Sequence, residues 1–161
     1  MPRLCLYQPD IAANMGSILR LGACLGTDCE IIGPCGFPFD DARLRRSAMD
    51  YIEHVTYRYH TGWDAFNDWR TGENAGRLVL LTTKGATPLH DFRFQADDLL
   101  LFGREGAGVP QVVHDSADAR VIIPMRAEVR SLNLAQSATI TLAEALRQTG
   151  QWPQITTPRR R

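Results

Sequence analysis

The sequence lacks most of what marks a metal, redox or membrane protein. Its four cysteines, Cys5, Cys24, Cys29 and Cys35, have no Cys-x-x-Cys spacing, and His54, His60, His90 and His114 are scattered. Neither a zinc site nor a disulfide framework is expected from that pattern, and buried thiols in a reducing compartment are the default. No apolar run approaches the ~20 residues that cross a bilayer. Met1-Pro-Arg-Leu-Cys-Leu-Tyr7 enters an apolar strand at once, without the cleavage site of a signal peptide. A soluble cytoplasmic protein with no metal and no membrane partner is the expectation. An excess of charge is missing too, since 18 basic side chains face 18 acidic ones. That balance argues against a protein that coats nucleic acid.

What is present is a chain with 44% hydrophobic residues in 161, enough for one domain over 1–161 with its own core. Residues 155–161 read as a flexible basic tail. The charge is unevenly spread. Arg43, Arg45 and Arg46 cluster, and from Arg120 onward Arg126, Arg130 and Arg147 meet only Glu128 and Glu144 before the final arginines. A solvated surface explains such runs, and a patch that grips phosphates is the alternative.

Short apolar runs alternate with helical patterns. Strands are expected at Leu4–Tyr7, Cys29–Gly33, Leu78–Thr83, Leu99–Gly103 and Val121–Pro124, with a weaker one at His54–Tyr57. Helices are expected from Asn14 to the stop at Gly26, from Asp40 and Asp41 through Met49, around Trp63–Trp69, and from Asn133 to Thr149. A short one has Pro110 in its first turn. Strands that are apolar throughout, separated by helices, indicate an α/β fold whose mostly parallel sheet is covered on both faces.

Ligands of such sheets sit at the carboxyl ends of strands, which singles out three loops. Gly103-Arg-Glu-Gly-Ala-Gly-Val-Pro110 is G-x-x-G-x-G rather than the dinucleotide fingerprint G-x-G-x-x-G. It also carries a glutamate where a pyrophosphate would meet backbone amides. It suits a neutral or cationic ligand without phosphate, such as S-adenosylmethionine, or is simply a turn in which Glu105 caps local amides. Pro124-Met125 through Ser131-Leu132-Asn133 leads into the last helix, with Ser131 or Asn133 as its cap. Asn14-x-Gly16-x-x-x-Arg20 sets a polar residue and a cation on an otherwise apolar helix, where the arginine either reaches solvent or serves a site.

Together these loops resemble the motifs of the SPOUT class of RNA methyltransferases, in its 2′-O-ribose branch. Pro9-Asp-Ile-Ala-Ala-Asn14-Met-Gly16-Ser-Ile-Leu-Arg20 is similar to the first motif, and Leu101-Phe-Gly103-Arg-Glu105-Gly-Ala-Gly108-Val-Pro110 to the second. Ile122-Ile-Pro124-Met125 with Ser131-Leu-Asn133-Leu-Ala135 is similar to the third. Within the branch, the likeness is to the small bacterial enzymes that modify the wobble nucleotide of leucine tRNAs. Length, Gly36-Phe37, Asp40-Asp41-x-Arg43-Leu44-Arg45-Arg46, Asp50-Tyr51 and Lys84-Gly85 support it. Arg104 departs from the pattern, which has a smaller residue or proline there.

The resemblance implies methyl transfer from S-adenosylmethionine to the ribose 2′-hydroxyl of cytidine or uridine at tRNA position 34, in the anticodon loop. It also implies a C-terminal trefoil knot, which connection rules would not suggest, and a homodimer with a shared site. Arg20 and Asn14 would be catalytic, Arg20 holding a phosphate and the developing alkoxide, since a guanidinium stays protonated and is a poor base. Leu81, Thr82, Gly103, Glu105, Gly108, Ile123, Met125, Ser131 and Leu132 would line the cofactor site. Arg43, Arg45, Arg46, Arg126 and Arg130 would hold tRNA phosphates. The features also admit methylation at another tRNA or rRNA position, a non-catalytic RNA-binding module of the same fold, and an unrelated nucleotide-binding domain.

Overall fold

Runs of four or five residues that bury both faces form the centre of the molecule. The computed structural model describes residues 1–40, 49–84 and 87–155. Residues 41–48 of the helix expected from Asp40 to Met49, with Arg43, Arg45 and Arg46, and the tail beyond Ile155 lie outside the described residues. Among those described, seven strands form one sheet in the order β3-β2-β1-β6-β4-β7-β5. They are β1 (Arg3–Tyr7), β2 (Cys29–Ile32), β3 (Tyr57–His60), β4 (Leu78–Leu81), β5 (Thr87–Pro88), β6 (Leu99–Phe102) and β7 (Ala119–Ile122). Every pairing is parallel, and β1 lies between β2 and β6, with Leu4 opposite both Cys29 and Leu100.

Side chains alternate across the sheet, so each strand serves two cores. Leu4, Leu6, Ile31, Val79, Leu100 and Phe102 pack beneath α1 (Ala12–Leu25) and α4 (Leu134–Thr149). Cys5, Ile32, Leu78, Leu80, Leu99 and Leu101 pack beneath Phe66 of α2 (Trp63–Gly72) and Val113 of α3 (Gln111–Asp115). The mostly parallel, doubly covered sheet is therefore present.

Several boundaries differ from expectation. The weak strand expected at His54–Tyr57 lies later, at Tyr57–His60, after a 3-10 turn over Met49–His54. Val55 is buried as a core residue, and Cys29 N–H already takes the Thr56 carbonyl, so pairing with β2 starts at Tyr57. As an edge strand, β3 lacks the continuous apolar run that signals a central one. The strand β5 was not expected: it has two residues, and an edge tolerates Pro88, which has no N–H to donate. Helix α1 starts at Ala12, two residues before Asn14, and ends at Gly26 (φ 68°), whose N–H donates to the Gly22 carbonyl. Pro110 is the residue before α3 rather than in its first turn. Cys5 and Cys29 are buried thiols, whereas Cys24 is exposed. The strands expected to reach Thr83, Gly103 and Pro124 stop at Leu81, Phe102 and Ile122, where the chain turns away to form a cavity.

Candidate active site

The carboxyl ends of β4, β6 and β7 open on a cavity of about 740 Å³, within the range of ordinary ligand sites. Leu81 and Thr82 close one side as β4 ends. Gly103, Glu105 and Gly108 line it from the loop after β6, and Ile123, Met125, Ser131 and Leu132 from the segment between β7 and α4. Asn14 reaches the rim from α1. Four segments far apart in sequence thus line one cavity.

The loop after β6 is a tight closure. Arg104 and Gly108 exchange two backbone hydrogen bonds of 2.9 Å, and Gly108 takes φ 67°. A Cβ on Gly103 would stand 2.6 Å from the Gly108 carbonyl carbon, so only glycine lets the two strands of the loop meet. The closure aims Glu105 out of its own loop. Its Oε2 accepts from the Asp10 N–H at 2.8 Å and its Oε1 from Asn14 Nδ2 at 3.1 Å. Glu105 therefore caps no local amide; it ties the second motif to the first.

Asn133 completes the connection. Its Oδ1 caps α4 by accepting from Ala135 N–H at 2.8 Å, while its Nδ2 donates to Asn14 Oδ1 at 2.9 Å. Of the two cap candidates, Asn133 is the cap, and Ser131 faces the cavity instead. Both ends of the Asn14 amide are thereby satisfied, which assigns its orientation and buries it at 8% exposure. Arg104 adds an ion pair, with Nη2 2.8 Å and Nε 3.2 Å from Asp10 Oδ1. That guanidinium holds the Asp10 carboxyl below its ordinary range, and Asp10 in turn raises Arg104. Arg104, read in the sequence as a departure from the motif, latches the two loops.

Arg20 lies outside this cavity. It is exposed on α1, with its guanidinium carbon 4.4 Å from the centre of the Tyr51 ring and Nη2 donating to Tyr51 Oη at 3.4 Å. Arg126 and Arg130 are exposed on the segment between β7 and α4. Sequence reasoning left Asn133, Asp10, Lys84 and His114 out of the site. Asn133 is legible only as a cap, because the second use of its amide needs a partner 119 residues away. His114 lines the cavity and its Nδ1 accepts from Arg120 Nε at 3.2 Å.

The sequence profile of the SpoU rRNA Methylase family matches residues 1–143. The chain belongs to that family. Among SpoU relatives, a tRNA (cytidine(34)-2'-O)-methyltransferase of Beijerinckia indica subsp. indica is 54% identical over 147 residues, covering 91% of each chain. A solved structure concerned with 2-OH methylation of C/U34 on tRNA superposes with a TM-score of 0.85 at 37% identity, over 92% of this chain and 95% of that one. The SpoU methyltransferase AviRb from Streptomyces viridochromogenes, in complex with the cofactor AdoMet, gives 0.79 at 29% identity over 92% of this chain and 57% of its own.

The cavity of this SpoU chain suits a phosphate-free cofactor of that size on its own chemistry. Leu81 and Ile123 offer apolar surface, and the loops supply backbone polar groups. Among the described residues that line it, Arg104 is paired to Asp10, Glu105 is engaged on both oxygens, and Lys84 adds a lone ammonium rather than a cluster of cations of the kind that grips a pyrophosphate.

Proposed function

We propose that this protein transfers the methyl group of S-adenosylmethionine to the ribose 2′-hydroxyl of cytidine or uridine at position 34 of tRNA, with leucine tRNAs as substrates. The observation that carries this is the Asn14–Glu105–Asn133 network at the rim of a cofactor-sized cavity, in a chain so similar to enzymes named for that reaction. Leu81 and Ile123 would hold the adenine between them, and backbone groups at Gly103 and Ile123 would meet its edges. Thr82, Gly108, Met125, Ser131 and Leu132 would enclose the remainder. Bound there, S-adenosylmethionine supplies an electrophilic methyl group.

The rest is positioning, which contributes on the order of 7–11 kcal/mol in well-oriented systems. Asn14 holds the first loop against the second. Arg20 binds the phosphate beside the target ribose and stabilises the oxygen as its proton leaves to phosphate or water. Arg43, Arg45, Arg46, Arg126 and Arg130 hold further phosphates, each adding about one unit to the salt slope of binding.

The same reading includes one catalytic domain, a trefoil knot in the C-terminal segments, a cytoplasmic location and a homodimer. Ile140 on α4 and Trp152 beyond it, both large apolar side chains left exposed, favour the dimer and are checked by the mass in solution.

Methyl transfer from labelled S-adenosylmethionine to total bacterial tRNA, followed by nucleoside mapping, tests the function. Label on 2′-O-methylated cytidine or uridine at the wobble position is the expected result. Label at another tRNA or rRNA position would change the substrate, and cofactor binding without transfer would leave a non-catalytic RNA-binding module.

A further inference from the structure

We infer that Tyr51 is a positioning residue for methyl transfer, acting through Arg20. The inference rests on the role proposed above for Arg20 and adds what holds that side chain in place. Arg20 leaves α1 on its exposed side, six residues after Asn14, where an unheld arginine samples many rotamers. In this structure its guanidinium carbon lies over one aromatic ring. The guanidinium carbon is 4.4 Å from the Tyr51 ring centre, inside the ~6 Å reach of a cation–π contact. Its one side-chain hydrogen bond among the described residues, from Nη2 to Tyr51 Oη, is 3.4 Å long, beyond the usual range. The ring therefore does most of the holding.

The geometry matters for the chemistry. A cation–π contact occupies a face of the guanidinium, whereas its N–H donors point outward along the edge. With Tyr51 over the guanidinium carbon and Nη2 turned to Tyr51 Oη, Nε and Nη1 make no hydrogen bond among the described residues and are left to meet a phosphate and a developing alkoxide. The aromatic ring comes from the 3-10 turn over Met49–His54, which packs against α1 next to the buried Val55. Tyr51 is thus fixed to the same helix that carries Asn14, and the two reacting-side groups share one frame. A purely structural explanation makes a different forecast, because an exposed cation–π pair adds little to stability.

Single-turnover transfer to tRNA separates the two, using Y51F, Y51L, R20K and the Y51L/R20K double variant, with S-adenosylmethionine and tRNA affinities measured alongside. Y51F should stay within about threefold of the wild type. Y51L should slow transfer about tenfold or more, with both affinities within about threefold. Because Tyr51 acts through Arg20, the double variant should be no slower than R20K alone, a strong departure from additivity. A full-rate Y51L, or penalties that multiply in the double variant, would overturn the role of Tyr51 while leaving the methyltransferase reading intact. An inactive wild type would overturn both. A measurement independent of the folding of Y51L is the proton NMR signal of the Arg20 side chain, assigned with R20K. Ring-current-shifted resonances in the free protein are expected, and unshifted ones would overturn the contact.

Discussion

Glu105 and Glu30 are both carboxylates hydrogen-bonded across the sheet, yet they have opposite surroundings. Glu105 sits at the wall of the cavity and spends its two oxygens on donors from residues 10 and 14. Glu30, on β2, is 4% exposed, with Oε2 2.7 Å from His60 Nε2 and Arg3 at 3.8 Å. Phe66 and Trp69 cover His60 at ring distances of 5.3 and 5.2 Å, and Arg3 and Arg58 lie over Trp69. Burial pushes the Glu30 carboxyl up, against the opposing pull of His60. One network is closed on itself beneath aromatic rings. The other joins three loops and leaves an open cavity beside them. Similar hydrogen bonds therefore serve fold in one place and site geometry in the other, and the difference lies in what encloses them.

Substitutions on each side separate the two networks. Arg20→Ala, outside the cavity, should lower transfer by about 10²–10³-fold with unchanged cofactor affinity, the scale of losing a group that meets developing charge. Retained turnover in Arg20→Ala, measured under single-turnover conditions, would remove it from the reaction. Glu105→Ala should cost about 10–100-fold in transfer, as for partners that orient reacting groups, with little change in melting temperature. Glu30→Ala should do the reverse: transfer per folded molecule is kept, while urea unfolding shows a loss of about 1–3 kcal/mol from the stranded His60. If the two glutamate variants behaved alike, the distinction drawn here would fail.

Gly103→Ala should weaken S-adenosylmethionine binding about tenfold or more by calorimetry, because the added methyl forces the Arg104–Gly108 closure apart. The smallest expected effect is on pH. The Asp10 carboxyl lies below its ordinary range, so its stabilisation is full above about pH 3.9 and lost as pH falls through the lower folded value. The Glu30 carboxyl lies above its ordinary range. Its stabilisation is full below about pH 4.3 and lost as pH rises through the higher folded value. Urea midpoints of D10N and E30Q, taken against the wild type across pH 3–8, should therefore diverge in opposite directions. Parallel curves would show that the two carboxyls share one environment.

Much of the fold is legible because the central strands are apolar on both faces and the helices end on recognisable residues. Leu99–Phe102 announces itself, and so does the stop at Gly26. Tyr57–His60 does not, since an edge strand may expose Arg58 and Tyr59 and needs no apolar run. Motif resemblance carries the placement of Gly103, Glu105 and Ser131 around one cavity. It does not carry what Glu105 does there, because the side chain's partners are 91 and 95 residues away in sequence. What Arg104 does becomes visible only beside Asp10.

The sequence by itself determined the alternation of strand and helix, the two buried faces of the sheet and the glycine closure between residues 103 and 108. These follow from periodicity and backbone sterics, which act over a few residues. Tertiary structure alone decided that β1 lies between β2 and β6, which brings the loop after Tyr7 against the loop after Phe102. From that adjacency come the Asp10–Arg104 pair and the Asn14–Glu105 bond, and α4 adds Asn133 from the far end of the chain. Short-range preferences cannot specify such contacts, because the order of strands depends on the summed burial of the whole core rather than on any one segment.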